Sequence, residues 1–109
     1  MPRQVSSTTW DDPLRLEILQ EQAASLGRLG RQLEAALDAL RCFDASPGHP
    51  SERQALVAEA GTVLWHFVVQ REACGLRDSA RVMDDYRVPK EVRGRMGVLP
   101  NRAMAKRRR

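Results

Sequence analysis

The sequence predicts an all-α fold: a long antiparallel helical hairpin, about residues 13–43 and 52–74, completed by two short C-terminal helices at about 78–86 and 89–96. Three observations carry this. Leu19, Leu26, Leu33 and Leu40 recur every seven residues, the spacing of one face of a coiled coil. Aromatic residues make up only 5% of the chain while Ala, Leu and Arg abound, which favours helix over sheet. The Pro- and Gly-bearing stretch Asp44 to Pro50 divides two periodic segments and is short enough to make them antiparallel neighbours.

The first helix opens at Asp12-Pro13, where Asp12 can accept from free backbone N–H groups and Pro13 suits the first helical position. Gln22, Leu29, Ala36 and Phe43 hold the second core position of its heptad, and Ala23 and Leu37 widen the stripe. Gly27 and Gly30 weaken this helix by up to about 1 kcal/mol each relative to Ala. Either they bend it or, at Gly30 especially, they let a neighbouring helix approach. Ser51, with Gln54 three residues on, has the form of a capping box for the second helix, and Gly75 suits the left-handed residue that ends it. Leu56, Ala60, Val63, Phe67 and Cys74 share one face, flanked by Val57, Leu64 and Val68, a width that calls for more than one neighbour. Asp78 caps the third helix, bearing Val82, Met83 and Tyr86, and Pro89 opens the fourth.

Counting outward from the loop leaves residues 13–21 overhanging the end of the second helix, so that Leu14, Ile18 and Leu19 need cover. The short helices are expected to fold back over them. The interaction core is then Leu19, Leu26, Leu29, Leu33, Leu40, Leu56, Val63 and Phe67. Two hairpins joined into a four-helix bundle through dimerisation would bury whatever remains of the stripes.

At 109 residues the chain has the length of one domain able to fold without metals or disulfides. The reading divides it into a flexible N-terminal arm at 1–9, a helical domain at 10–97 and a basic disordered tail at 98–109. The N-terminus lacks the apolar core of a signal peptide, and the longest apolar run, Val63 to Val69, is broken by His66. Cys42 and Cys74 fall near opposite ends of the hairpin, roughly 30 Å apart at helical rise, and read as reduced thiols of a cytoplasmic protein.

The net charge of +4 is uneven. Residues 1–86 carry 9 basic and 13 acidic side chains, a net −4, whereas residues 87–109 carry 9 basic and 1 acidic, a net +8. Arg93, Arg95, Arg102, Lys106, Arg107, Arg108 and Arg109 form a candidate anion-binding set, which makes salt-dependent nucleic-acid binding the alternative function. Against it, no aromatic residue is interleaved for base stacking, and a solvated tail accounts for the same charges.

No residue set names a reaction. His66 and Gln70 share a helix face and Arg71 adjoins them, a possible polar site in which His66 would act as a base oriented by Gln70. No Ser, Cys or Asp stands at a spacing that completes a nucleophilic set, so a polar seam facing water explains the trio better. The two histidines and two cysteines show none of the spacings of a metal site, and neither metal nor cofactor is expected.

The runs Trp65-His66-Phe67, Gln70 through Asp78, and Tyr86 through Val92 together resemble a family of short uncharacterised bacterial proteins, chiefly alphaproteobacterial, over about residues 10–97. The resemblance implies a helical fold and a bacterial cytoplasmic setting, and it carries no activity to any residue. The expected function is a non-catalytic helical interaction or oligomerisation module. A homodimer or a helical protein partner is expected, and no membrane.

Overall fold

A computed structural model describes residues 12–97, and every regular element among them is a helix. These are α1 (Pro13–Ala45), α2 (Pro50–Ala73), α3 (Ser79–Tyr86) and α4 (Lys90–Gly94). The expected N-terminal arm and basic tail, with Arg102, Lys106, Arg107, Arg108 and Arg109, lie outside the described residues.

Asp12 caps α1 as expected, its Oδ1 accepting from the Leu14 N–H at 3.0 Å. The helix then runs unbroken through Gly27 and Gly30. The cap of α2 is one place where the sequence reading needs correction. Pro50 takes the first helical position, so the cap moves upstream from Ser51 to His49. The His49 Nδ1 accepts from the Ser51 N–H at 3.2 Å, and the His49 N–H donates to Glu52 Oε1, also at 3.2 Å. At the far end Gly75 adopts φ +91°, and the Leu76 N–H reaches back to the Arg71 carbonyl at 2.8 Å. This is the Schellman closure that a glycine favours, since a side chain there would be strained. Asp78 caps α3 by accepting from the Arg81 N–H at 3.3 Å. Arg87 closes α3 in the left-handed region at φ 53°.

The two long helices form the predicted hairpin. Asp44 and Arg53 meet across the loop end at 2.8 Å, and Gly30 faces the Phe67 ring in the middle. Facing positions therefore sum to about 97, and α2 ends opposite about Ala24. The core lies between: Leu33, Leu37 and Leu40 from α1, Val57, Ala60, Val63, Leu64, Phe67 and Val68 from α2, and Val82, Val88 and Val92 from the C-terminal segment. Burial of each of these Leu, Val and Phe side chains contributes roughly 1.5–3 kcal/mol before the entropic cost of ordering it.

The C-terminal helices do not cover the overhang. The turn after α2 sends α3 back toward the loop, along the groove between the long helices. Tyr86 lies edge-on to Phe67 with ring centroids 5.6 Å apart, and the Arg41 Nη2 donates to the Tyr86 carbonyl at 3.2 Å. α4 then packs on α2 at Gly61, where an added Cβ would stand 2.7 Å from the Arg95 Cβ. The physical reason is the second apolar face of α2. Gly61, Leu64 and Val68 can bury Val88 and Val92, whereas the overhang presents one isolated helix to pack against. Arg53 fixes the placement, bonding Asp44 of α1 and Glu91 of α4 at once, the latter at 2.7 Å.

Candidate functional site

The polar trio proposed from the sequence does not converge on a site. His66 is exposed and its ring is tilted against Trp65, centroids 5.7 Å apart. Gln70 turns toward the Cys74 sulfur at 4.0 Å. Arg71 lies on the inner side of α2 with its guanidinium 5.8 Å from the centre of the Phe67 ring, and its Nε is buried without a hydrogen-bond partner. The aromatic face offsets part of the cost of holding that cation there. Among the described residues no group of His, Cys, Asp and Glu is placed to hold a metal ion. Both cysteines are free.

Two features escaped the sequence reading. One is a groove of about 550 Å³ between α1 and the end of α3, lined by Glu34, Leu37, Asp38, Arg41, Asp85, Tyr86 and Arg87. Its charges are of both signs, and Asp38 already pairs with Arg41 at 2.9 Å. Burial, together with Glu34 and Asp85, pushes the Tyr86 phenol above its ordinary value, while Arg71 opposes the shift. The other is the Arg53 junction. Hydrogen bonds from Arg53 hold the Asp44 and Glu91 carboxyls below their ordinary values, and the two acids in turn raise the Arg53 guanidinium. A junction that ties three helices together is a structural clamp. Finding either feature from sequence requires the path of α3, which no local periodicity encodes.

Of the expected core, Leu33, Leu40, Val63 and Phe67 are buried, and Leu26, Leu29 and Leu56 are half-buried against the same cluster. Leu19 departs from expectation. It keeps the heptad phase of Leu26 and Leu33, yet lies beyond the end of α2 and is 45% exposed. Leu14, Leu16 and Ile18 beside it are 64%, 51% and 51% exposed, and every residue from Asp12 to Glu21 is exposed. At 100° per residue Leu14 and Ile18 form one flank of this arm, Leu16 and Leu19 the other, with Arg15 and Gln22 along the middle. Four large apolar side chains within six residues present on the order of 400 Å² of exposed surface in two strips, one on each side of Arg15 and Gln22. This arm is the candidate site. Its chemistry is that of exposed leucine and isoleucine flanking Arg15 and Gln22.

Of the residues proposed for anion binding, only Arg93 and Arg95 are described. Arg93 is exposed, whereas Arg95 is partly buried where its backbone and Cβ pack on Gly61. They do not form a shared cradle with the groove on α3. No helix among the described residues is long and apolar enough to cross a membrane.

No curated relative and no solved structure matches the chain. The chain belongs to a family of unknown function (DUF6665), whose profile matches residues 3–104.

Proposed function

We propose that this chain is a non-catalytic helical interaction module of the bacterial cytoplasm, and that it engages another protein through the uncovered N-terminal arm of α1. The observation that carries the reading is the exposure of Leu14, Leu16, Ile18 and Leu19, between 45% and 64%, on a helix whose later leucines, Leu33, Leu37 and Leu40, are at most 2% exposed. An isolated helical arm of three turns gains little from its own hydrogen bonds, since most helical stability in proteins comes from packing an apolar face. Covering the leucine and isoleucine there would supply the packing that the arm lacks. The side chains with reactive chemistry are dispersed by contrast: His66 on the outside of α2, Cys42 on α1, Cys74 at the far end. Two free thiols suit a reducing compartment.

The test is native mass spectrometry of the full chain purified under mild conditions from its own host. The expected result is a complex heavier than the 12.3 kDa chain that disappears in the double variant Leu16→Glu, Ile18→Glu. A wild-type chain that emerges alone, or a complex that the double variant retains, overturns the proposal.

A further inference from the structure

We infer that what covers the arm is the same arm of a second copy, running antiparallel to it about a two-fold axis near Ile18. The inference rests on the interaction reading above and specifies its partner. Its first support is a matching of lengths. α1 has 33 residues and α2 has 24, and their register ends α2 opposite about Ala24. Beyond that point α1 has a notch beside it some eleven residues long, roughly 16 Å at helical rise. A second α1 running antiparallel, with its Pro13 beside position 23, enters where α2 stops and continues in the direction of α2. By symmetry the first arm fills the notch of the second copy. Notch and filler agree in length because each is the difference between the same two helices. An isologous contact of this kind closes on itself and leaves no arm uncovered.

Charge gives the second support. Arg15 stands in the middle of the exposed stripe, between its two apolar flanks. In antiparallel pairing, facing positions sum to about 36, so Arg15 comes beside Gln22 of the other copy, whose amide oxygen can accept from the guanidinium. Parallel pairing would set Arg15 against Arg15, which is unfavourable for like charges at close range. The polar middle of the stripe thus selects the orientation.

Area sets the strength. Ile18 and Leu19 bracket Arg15 and Gln22 on the facing side, Leu14 and Leu16 reach the contact only from its edges, and the incoming Leu14 comes to the end of α2, where Leu76 is 45% exposed. The area hidden stays below the roughly 1,200 Å² at the low end of specific interfaces, in the class of weak, transient contacts. A reversible dimer follows.

Sedimentation equilibrium of the purified full chain, from about 1 µM to about 1 mM, spans the dissociation constants such an interface allows. The mass is expected to rise from 12.3 kDa toward twice that value. Ile18→Glu, which brings two carboxylates together at the axis, is expected to weaken association by about 100-fold, with helical circular dichroism unchanged because the site is exposed in the single chain. Orientation is read in a Cys42→Ser, Cys74→Ser background. Leu14→Cys mixed with Gln22→Cys is expected to give the mixed disulfide on oxidation, and Leu14→Cys alone no dimer. A chain monomeric throughout, a dimer indifferent to Ile18→Glu, or self-linking of Leu14→Cys overturns the inference. If the purified chain stays monomeric while its host complex contains a different protein lost in Leu16→Glu, Ile18→Glu, self-pairing falls and the interaction reading stands. If neither experiment yields a complex, both fall.

Discussion

The two halves of α1 are built alike and meet opposite environments. From Leu26 to Leu40 its heptad leucines face α2, with α3 laid along the groove, and Leu33, Leu37 and Leu40 are at most 2% exposed. From Leu14 to Leu19 the same kind of side chain faces solvent, because α2 has ended and the C-terminal segment has turned the other way. A seven-residue repeat specifies which face of a helix is apolar. What covers that face depends on where the neighbouring chain stops. The same pattern therefore makes a folding core in one half and an exposed apolar surface in the other.

The largest contrast should come from truncating one leucine on each side of that boundary. Leu64 is 0% exposed and packs within the three-helix core, so Leu64→Ala is expected to cost about 2–5 kcal/mol. Leu16→Ala in dilute solution should stay within about 0.5 kcal/mol of wild type, as surface substitutions do. Urea unfolding followed by circular dichroism measures both. Equal losses would mean that the arm is covered within the single chain, which breaks the comparison.

Glycine gives a contrast of sign. At Gly61 an added Cβ would stand 2.7 Å from the Arg95 Cβ and 3.0 Å from the Arg95 carbonyl carbon, so α4 must move away. Gly61→Ala is expected to destabilise by about 1–3 kcal/mol, the usual range for overpacking. At Gly27, where coverage thins toward the arm, the nearest atom is the mobile Arg31 Nη1 at 3.4 Å. Gly27→Ala is expected to stabilise by about 0.4–1 kcal/mol through helix propensity and a less flexible unfolded chain. Thermal melts of the two variants should move in opposite directions.

These positions also show how far the sequence could be read. The hairpin was legible because Leu19, Leu26, Leu33 and Leu40 repeat at a helical period and Pro47, Gly48 and Pro50 break it. The overhang followed from counting residues on each side of that loop. The path of α3 and α4 was not legible. It depends on Gly61 admitting Arg95, on Tyr86 finding Phe67, and on Arg53 bridging Asp44 and Glu91, contacts up to 38 positions apart that leave no local signature. Gly27 and Gly30 drew notice because they interrupt a helix pattern, yet Gly61 holds the closer approach. At the candidate site, Leu14, Ile18 and Leu19 were identified and Leu16 was not, and their lack of cover was missed because the short helices were assigned to the wrong end of the hairpin.

Acid should loosen the covered half in a way that depends on Arg53. The Asp44 and Glu91 carboxyls are held below their ordinary values of 3.8 and 4.5, Arg53 being the cause in both cases. A carboxyl whose value is depressed in the folded chain contributes stability that is present above the unfolded value and is lost as pH falls through the folded one. The clamp is therefore intact at pH 6 and fails progressively below about pH 4. Arg53→Gln removes the linkage, so its urea midpoint should fall less than that of wild type between pH 6 and pH 3. Parallel pH profiles would show that the junction contributes nothing to holding α4 in place.

The smallest contrast lies in the two helix caps. His49 caps α2 inside the covered half, its Nδ1 accepting from the Ser51 N–H at 3.2 Å. Aspartate is the stronger cap and also suits the positive end of the helix dipole, but Glu52 and Asp44 nearby oppose an added negative charge. His49→Asp is therefore expected to raise global stability by only about 0.5 kcal/mol, read as a small increase in the urea midpoint. Asp12 caps α1 at the tip of the free arm, where its Oδ1 accepts from the Leu14 N–H at 3.0 Å. An exposed helix end opens locally without unfolding the core, so the loss of this cap should be confined to the arm. Asp12→Ala should leave the midpoint of the dilute chain in place and speed amide exchange over residues 14–20 alone. At concentrations where arms pair, the same variant should weaken association, since a frayed arm must be ordered before it can fill a notch. A cap whose loss is invisible to folding and visible to assembly is the behaviour expected of an arm that belongs to the interface.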